Sequence, residues 1–105
     1  MISPGNTAVG VGTTTILTCV GFSDPTSSVI WNMEGAEVNN DSRISIYEQL
    51  LTVNDVNWVL SNLVICGVDY ADGGQYSCTV GNAMMNASVT FEMSVNIEGG
   101  IYITF

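Results

Sequence analysis

The stretch Asp72-Gly73-Gly74-Gln75-Tyr76-Ser77-Cys78 constrains this chain more than any other. An acid, a tight turn, a tyrosine and a cysteine follow one another with no spare residue. Gly74 gives the turn a conformation that a side chain resists. Successive side chains on a strand alternate, so Tyr76 and Cys78 share one face while Gln75 and Ser77 share the other. The stretch reads as a turn that delivers an aromatic ring and a sulfur into one layer. Upstream, Cys19 closes the alternating run Thr14-Thr15-Ile16-Leu17-Thr18-Cys19, and Trp31 lies within Val29-Ile30-Trp31-Asn32-Met33.

Cys19, Trp31 and Asp72-x-Gly74-x-Tyr76-x-Cys78, taken together, resemble the immunoglobulin superfamily over residues 7–97. The resemblance implies an all-β, two-sheet Greek-key sandwich with an inter-sheet disulfide between Cys19 and Cys78. Trp31 would pack on that disulfide, and Tyr76 would form the tyrosine corner. Leu63 and Ile65 would face inward in the family pattern Leu-x-Ile-x-x-Val, which Val68 completes. Closing a loop of about 60 residues contributes roughly 4 kcal/mol in the chain-entropy model. The separation of the two cysteines, 78 − 19 = 59, leaves a variable-like and an intermediate set both open. The last strand lacks the Gly-x-Gly bulge of antibody-type variable domains, which argues against antibody-style pairing.

At 105 residues the chain makes one domain with a modest core. The expected division is an immunoglobulin-like domain over 1–97 and a linker or tail over 98–105. A disulfide-bearing domain belongs in an oxidising compartment, so the expected location is extracellular, in the ectodomain of a single-pass membrane protein. The start of the chain shows no secretory signal, and Met1 is read as a remnant of expression. No run approaches the roughly 20 apolar residues of a membrane span. Ten acids stand against one base, and there is no histidine. That charge argues against nucleic acid and anionic lipid as partners, and it keeps the domain soluble.

Taken in order, Thr7–Gly12 reads as a short edge strand and Thr13–Val20 as a strand. Gly21–Ser28 carries turn chemistry around Asp24-Pro25. Val29–Met33 is a strand with Val29, Trp31 and Met33 inward, turned by Glu34-Gly35. Glu37–Ser42 is a loop or weak edge strand. Arg43–Glu48 is a strand, and Gln49–Asn57 is ambiguous, because Leu50-Leu51 meets an Asn54-Asp55 turn signal. Val56–Cys66 is a long strand whose parity leaves Trp58, Leu60, Val64 and Cys66 outward unless a bulge shifts the phase. Gly81–Asn86 is a hairpin loop. Ala87–Ile97 alternates, with Val89, Phe91, Met93 and Val95 against polar neighbours.

Several residues are candidates for more than packing. Arg43 is the one cation, and the resemblance implies a salt bridge from it to Asp72. Cys66 is left over once Cys19 and Cys78 pair; it is either a free or intermolecular thiol or a small hydrophobe under a loop. Asn40-Asp41-Ser42 and Asn86-Ala87-Ser88 fit the N-glycosylation pattern. Met84 and Met85 lie in the last hairpin loop, a candidate contact tip, with the alternative that one folds back onto the sandwich. The loop Phe22–Ser28 could join them at the same end, and Trp58 and Leu60 form a second apolar contact candidate if they are outward, the alternative being a bulge that buries Trp58.

Nothing in the chain suggests an active site. It has no histidine or lysine, no phosphate-cradling glycine loop and no dense run of oxygen ligands, so no cofactor or metal is expected. The resulting expectation is a non-enzymatic protein-recognition module of a cell-surface receptor or adhesion protein. Its parent could carry a separate enzymatic domain, such as a kinase. The partner would be a protein ligand or a second copy, the latter across the sheet that carries Cys78. The alternative is a structural spacer in a tandem immunoglobulin array.

Overall fold

The structure is a computed structural model, and it describes residues 6–22, 28–81 and 86–96. Among the described residues eight strands form two sheets. They are β1 (Thr7–Gly10), β2 (Thr15–Phe22), β3 (Ser28–Met33), β4 (Ala36–Glu37), β5 (Ile44–Val53), β6 (Val56–Ile65), β7 (Gly74–Gly81) and β8 (Asn86–Asn96). One sheet has the order β1-β8-β7-β3-β4 and the other β2-β6-β5. All pairings are antiparallel except β1 on β8. A 3-10 turn, Tyr70–Asp72, leads into β7.

Period-two alternation sets which side chains enter the core. Leu17 and Cys19 of β2 and Val59, Leu63 and Ile65 of β6 come from one sheet. Trp31, Tyr76, Cys78, Phe91 and Met93 come from the other. Cys19 and Cys78 join the sheets in a disulfide with a Cα–Cα distance of 6.6 Å. Trp31 meets Phe91 edge-on with centroids 6.3 Å apart, and Tyr76 stacks on Phe91 at 5.9 Å. The indole N–H of Trp31 donates to the Ser61 hydroxyl at 2.9 Å, so the one polar atom of the tryptophan is satisfied inside the core. Gly21 takes an inward position opposite Val80, where a Cβ would come within 3.1 Å of a Val80 methyl.

Element boundaries depart from the sequence reading in several places. β2 runs on through Gly21 and Phe22, which pair with Val59 and Trp58; they are strand residues and not turn. β5 does not stop at Glu48 but reaches Val53, and Asn54 and Asp55 (φ 51° and 63°) form the tight turn into β6. β8 begins at Asn86, paired with Gly81, so Asn86 is a strand residue. β1 ends at Gly10. The expected edge strand after Trp31 is only the two residues of β4. β6 pairs with β5 without interruption from Val56 to Ile65, so no bulge shifts its phase, and Trp58 faces outward. Met84 and Met85, the proline turn at 23–27 and the tail at 98–105 lie outside the described residues.

Candidate recognition surfaces

At one end of the sandwich a polar clamp fixes the turn before β7. Asp69 caps the 3-10 turn by accepting the Tyr70 N–H at 2.7 Å, while Asp72 accepts the Asp69 N–H at 2.7 Å. Arg43 lays its guanidinium across the carboxylate of Asp72, Nη1 on Oδ2 at 3.0 Å and Nη2 on Oδ1 at 3.1 Å. It also donates to the Gly67 carbonyl at 3.0 Å. The Tyr76 hydroxyl donates to the Asp72 carbonyl at 2.5 Å, which ties strand to turn. Gly74 sits at φ 150° with Glu34 where a Cβ would be, and the Glu34 carboxylate accepts the Gln75 N–H at 2.9 Å.

The electrostatics match this geometry. The Arg43 hydrogen bond holds the Asp72 carboxyl below the ordinary aspartate range, against the opposing effect of burial. Arg43 is raised in turn by its bond to Asp72. Burial pushes the Tyr76 phenol up to about 12. Asp41 is lowered by the Arg43 and Ile44 N–H groups that its carboxylate caps. These groups are occupied in holding the turn and the start of β5, and none is free to do chemistry. Among the described residues no cluster of three or more His, Cys, Asp or Glu could hold a metal ion. A shallow cleft of about 420 Å3 opens between the sheets beside β4, floored by Met33, Val38 and Ile44.

The two outer faces differ sharply. On the five-stranded sheet the outward positions are polar. Asn32, Gln75, Ser77, Thr79, Ser88 and Thr90 lie there, with Ile30 as the exposed apolar exception. Thr79 and Ser88 pair across strands at 2.8 Å.

The outer face of the three-stranded sheet is apolar. Its rows follow from the register. Phe22, Trp58 and Leu51 form one row, and Val20, Leu60 and Gln49 the next. Thr18, Asn62 and Tyr47 follow, then Ile16, Val64 and Ser45. Phe22 and Trp58 stack with centroids 4.3 Å apart, which half-buries the indole. Ile16, Phe22 and Tyr47 are each 60% or more exposed. Val53 and Val56 prolong the patch to the hairpin tip. The face holds fourteen outward positions, four on β2 and five each on β5 and β6, and none is Asp, Glu, Lys or Arg. Of its polar side chains, Thr18 donates to Asn62 at 2.6 Å. Glu48 belongs to the opposite phase of β5, and its carboxylate accepts the Val29 N–H at 3.2 Å.

Sequence reasoning singled out Trp58 and Leu60 on this face, assigned Phe22 to a contact loop and not to the strand row it occupies, and missed Tyr47, Ile16 and Val20. The even positions of β2 carried the signal, since their parity opposes Leu17 and Cys19. It also missed Ser61, whose inward parity beside Leu63 marks it as a buried polar group. Cys66 lies just past β6, exposed and unpaired, with its N–H bonded to the Arg43 carbonyl at 2.9 Å. Asn40 and Asn86 are both exposed. The Asn40 side-chain oxygen accepts the Ile46 N–H at 2.7 Å.

Two sheets joined by a buried disulfide, with a tryptophan on it and a tyrosine tied to the preceding turn, define an immunoglobulin-like domain. Residues 1–95 match the model of the immunoglobulin I-set family, and the chain belongs to that family. It is similar to a human peroxidasin homolog, 33% identical over 95 residues, which is 90% of this chain and 6% of that protein. It is also similar to fibroblast growth factor receptor 1 of Xenopus laevis, 32% identical over 88 residues, covering 77% of this chain and 11% of that one. The N-terminal eight immunoglobulin domains of the Down syndrome cell adhesion molecule share the fold, with a TM-score of 0.77 at 23% identity, over 90% of this chain and 12% of that one. The chain thus spans a small fraction, 6% and 11%, of the length of these two curated relatives. Among the described residues no helix is long and apolar enough to cross a membrane.

Proposed function

We propose that this chain is an extracellular protein-recognition module of a multidomain receptor or adhesion protein. The observation that carries this reading is the uncharged, apolar outer face of β2, β6 and β5. A spacer needs no such face, and a chain with ten acids has ample means to charge it. Apolar patches of this kind on a soluble domain mark contact sites. The relatives support the setting: one is a receptor by name, and a similar structure is a cell adhesion molecule. Any catalysis in the parent protein belongs to another of its domains. Asn40 and Asn86 are exposed acceptors for N-linked glycan, and Asn86 sits on the polar sheet, away from the apolar face.

The competing reading is a spacer in a tandem array, which the likeness to an eight-domain structure favours. To separate the two, the chain is clustered on a multivalent carrier and presented to a panel of extracellular proteins. Recognition through the apolar face gives binding that Leu60→Glu lowers at least tenfold and Thr90→Glu leaves unchanged. No binding to any member supports the spacer, and binding that Leu60→Glu leaves unchanged moves recognition off the apolar face.

A further inference from the structure

We infer that the occupant of the apolar face is a second copy of this chain, docked face to face through β2, β6 and β5. This rests on the recognition reading above and deepens it.

Charge is the first argument. The chain has a formal net charge of −9, so any surface that carries its acids repels an identical copy. Fourteen outward positions without an ionised group make this the face on which two like-charged copies approach most cheaply. A basic partner, the occupant that the overall charge would favour, finds no carboxylate here to pair with. The described acids lie elsewhere. Glu34 is in the turn after β3, Glu37 is on β4, Asp41 caps the start of β5, Glu48 points to the opposite side of β5, Asp55 sits at the hairpin tip, Asp69 and Asp72 lie in the far turn, and Glu92 is on the other sheet.

Desolvation is the second argument. A buried polar group left without a partner is costly, and docking usually strands some. Here the Thr18 hydroxyl and the Asn62 side-chain oxygen already bond to each other, so covering that pair costs less than covering two unpaired groups, and the remaining polar side chains, Tyr47, Gln49 and Ser45, all lie on the edge strand β5. The Phe22–Trp58 stack offers a rigid aromatic anchor at one end, and the aliphatic side chains of Val20 and Leu60 fill the middle.

Area sets the strength. Fourteen outward positions at ordinary strand spacing cover about 450 Å2. A stable standard interface removes about 800 Å2 from each partner. The contact therefore belongs to the weak, transient class of interfaces. Copies held side by side on a surface multiply such a contact by effective concentration.

Sedimentation velocity of the chain up to about 1 mM, in low and high NaCl and with and without reductant, tests this. The expected result is a dimer that survives reductant and tightens with salt as repulsion is screened. Leu60→Glu weakens it at least tenfold, Thr90→Glu on the polar face does not, and each variant melts cooperatively. Tyr47→Glu does the same as Leu60→Glu from a side chain 60% exposed, where folding tolerates the change. A dimer lost only on reduction overturns the inference in favour of a Cys66 bridge. One weakened by Thr90→Glu overturns it in favour of the other sheet. A monomer throughout overturns self-docking. If that monomer, clustered, still loses panel binding on Leu60→Glu, recognition of a different protein stands; if it binds nothing, both readings fall.

Discussion

Asp72 receives a guanidinium fork and a backbone N–H on its carboxylate while its carbonyl takes the Tyr76 hydroxyl. Each of those bonds holds the turn that aims Tyr76 and Cys78 into the core. The carboxyl is held below its ordinary value by Arg43, so the native state favours its ionised form. The unfolded chain titrates near 4. Stability from the pair is therefore complete above that pH and drains away as pH falls through the lowered native value. Arg43→Ala lowers the melting temperature at pH 7, and the gap between variant and parent narrows as pH drops from 5 towards 2. A gap that stays constant over that range means that Arg43 supports the fold through the Gly67 carbonyl and not through Asp72. Residues of this kind are visible in a sequence when they are singular: the chain has one base, and the acids of one turn motif are near at hand. Ser61 was not visible. A serine between Leu60 and Asn62 carries no signal of its own, and only the inward parity of β6 together with the indole N–H explains it.

Elements with one buried face were the most legible. β8 alternates over its whole length because its inner side chains enter the core while its outer ones meet water. β3 and β7 behave alike. The far half of β5 was not legible, because beyond Glu48 it runs past the core. Leu50 stands 72% exposed on the nominally inward side, and Leu51 is half-buried on the outward one. Neither face is buried, so alternation has nothing to record. The turn was what could be read there, and it is also where the hairpin is strained. Asn54 and Asp55 both adopt positive φ, the geometry of a type I′ turn, whose favoured pair is Asn-Gly. Asp55→Gly removes the Cβ from a left-handed position and also takes one acid from the surface. It raises stability by about 0.5 kcal/mol, or about 3 °C in melting temperature for a domain of this size. Asp55→Val, with a branched side chain at the same φ, lowers it. If the glycine variant melts below the parent, the turn is held by the Asp55 side chain and not by backbone geometry. The outer face of β2, β6 and β5 was half-legible for a related reason. Strand parity placed Trp58 and Leu60 outward, but ending β2 at Val20 left Phe22 in a turn, so the row that joins them was not seen.

At the scale of the whole molecule the charge is unbalanced and its distribution is not even. One sheet presents hydroxyls and amides, the other aliphatic and aromatic side chains, and the acids gather on turns and rims. Exposed acids within a Debye length of one another repel, and folding brings them closer than they lie in the open chain. Among the described residues one ion pair, Arg43 with Asp72, opposes that repulsion. Salt screens both, but it screens many repulsive pairs and one attractive pair that is partly shielded from water. The melting temperature of the monomer therefore rises as NaCl goes from about 20 mM to about 500 mM, over which the Debye length falls from about 20 Å to about 4 Å. Arg43→Ala removes the attractive pair and leaves a tenth uncompensated charge, so its rise with salt is larger than the parent's. The measurement is made at low protein concentration, below the range in which copies associate, and in LiCl as well as NaCl to separate screening from ion-specific effects. A melting temperature that falls with salt, or an Arg43→Ala variant that responds less than the parent, means that the pair outweighs the repulsion. The acids would then lie too far apart to matter, and the uncharged face would owe nothing to the need of like-charged copies to approach.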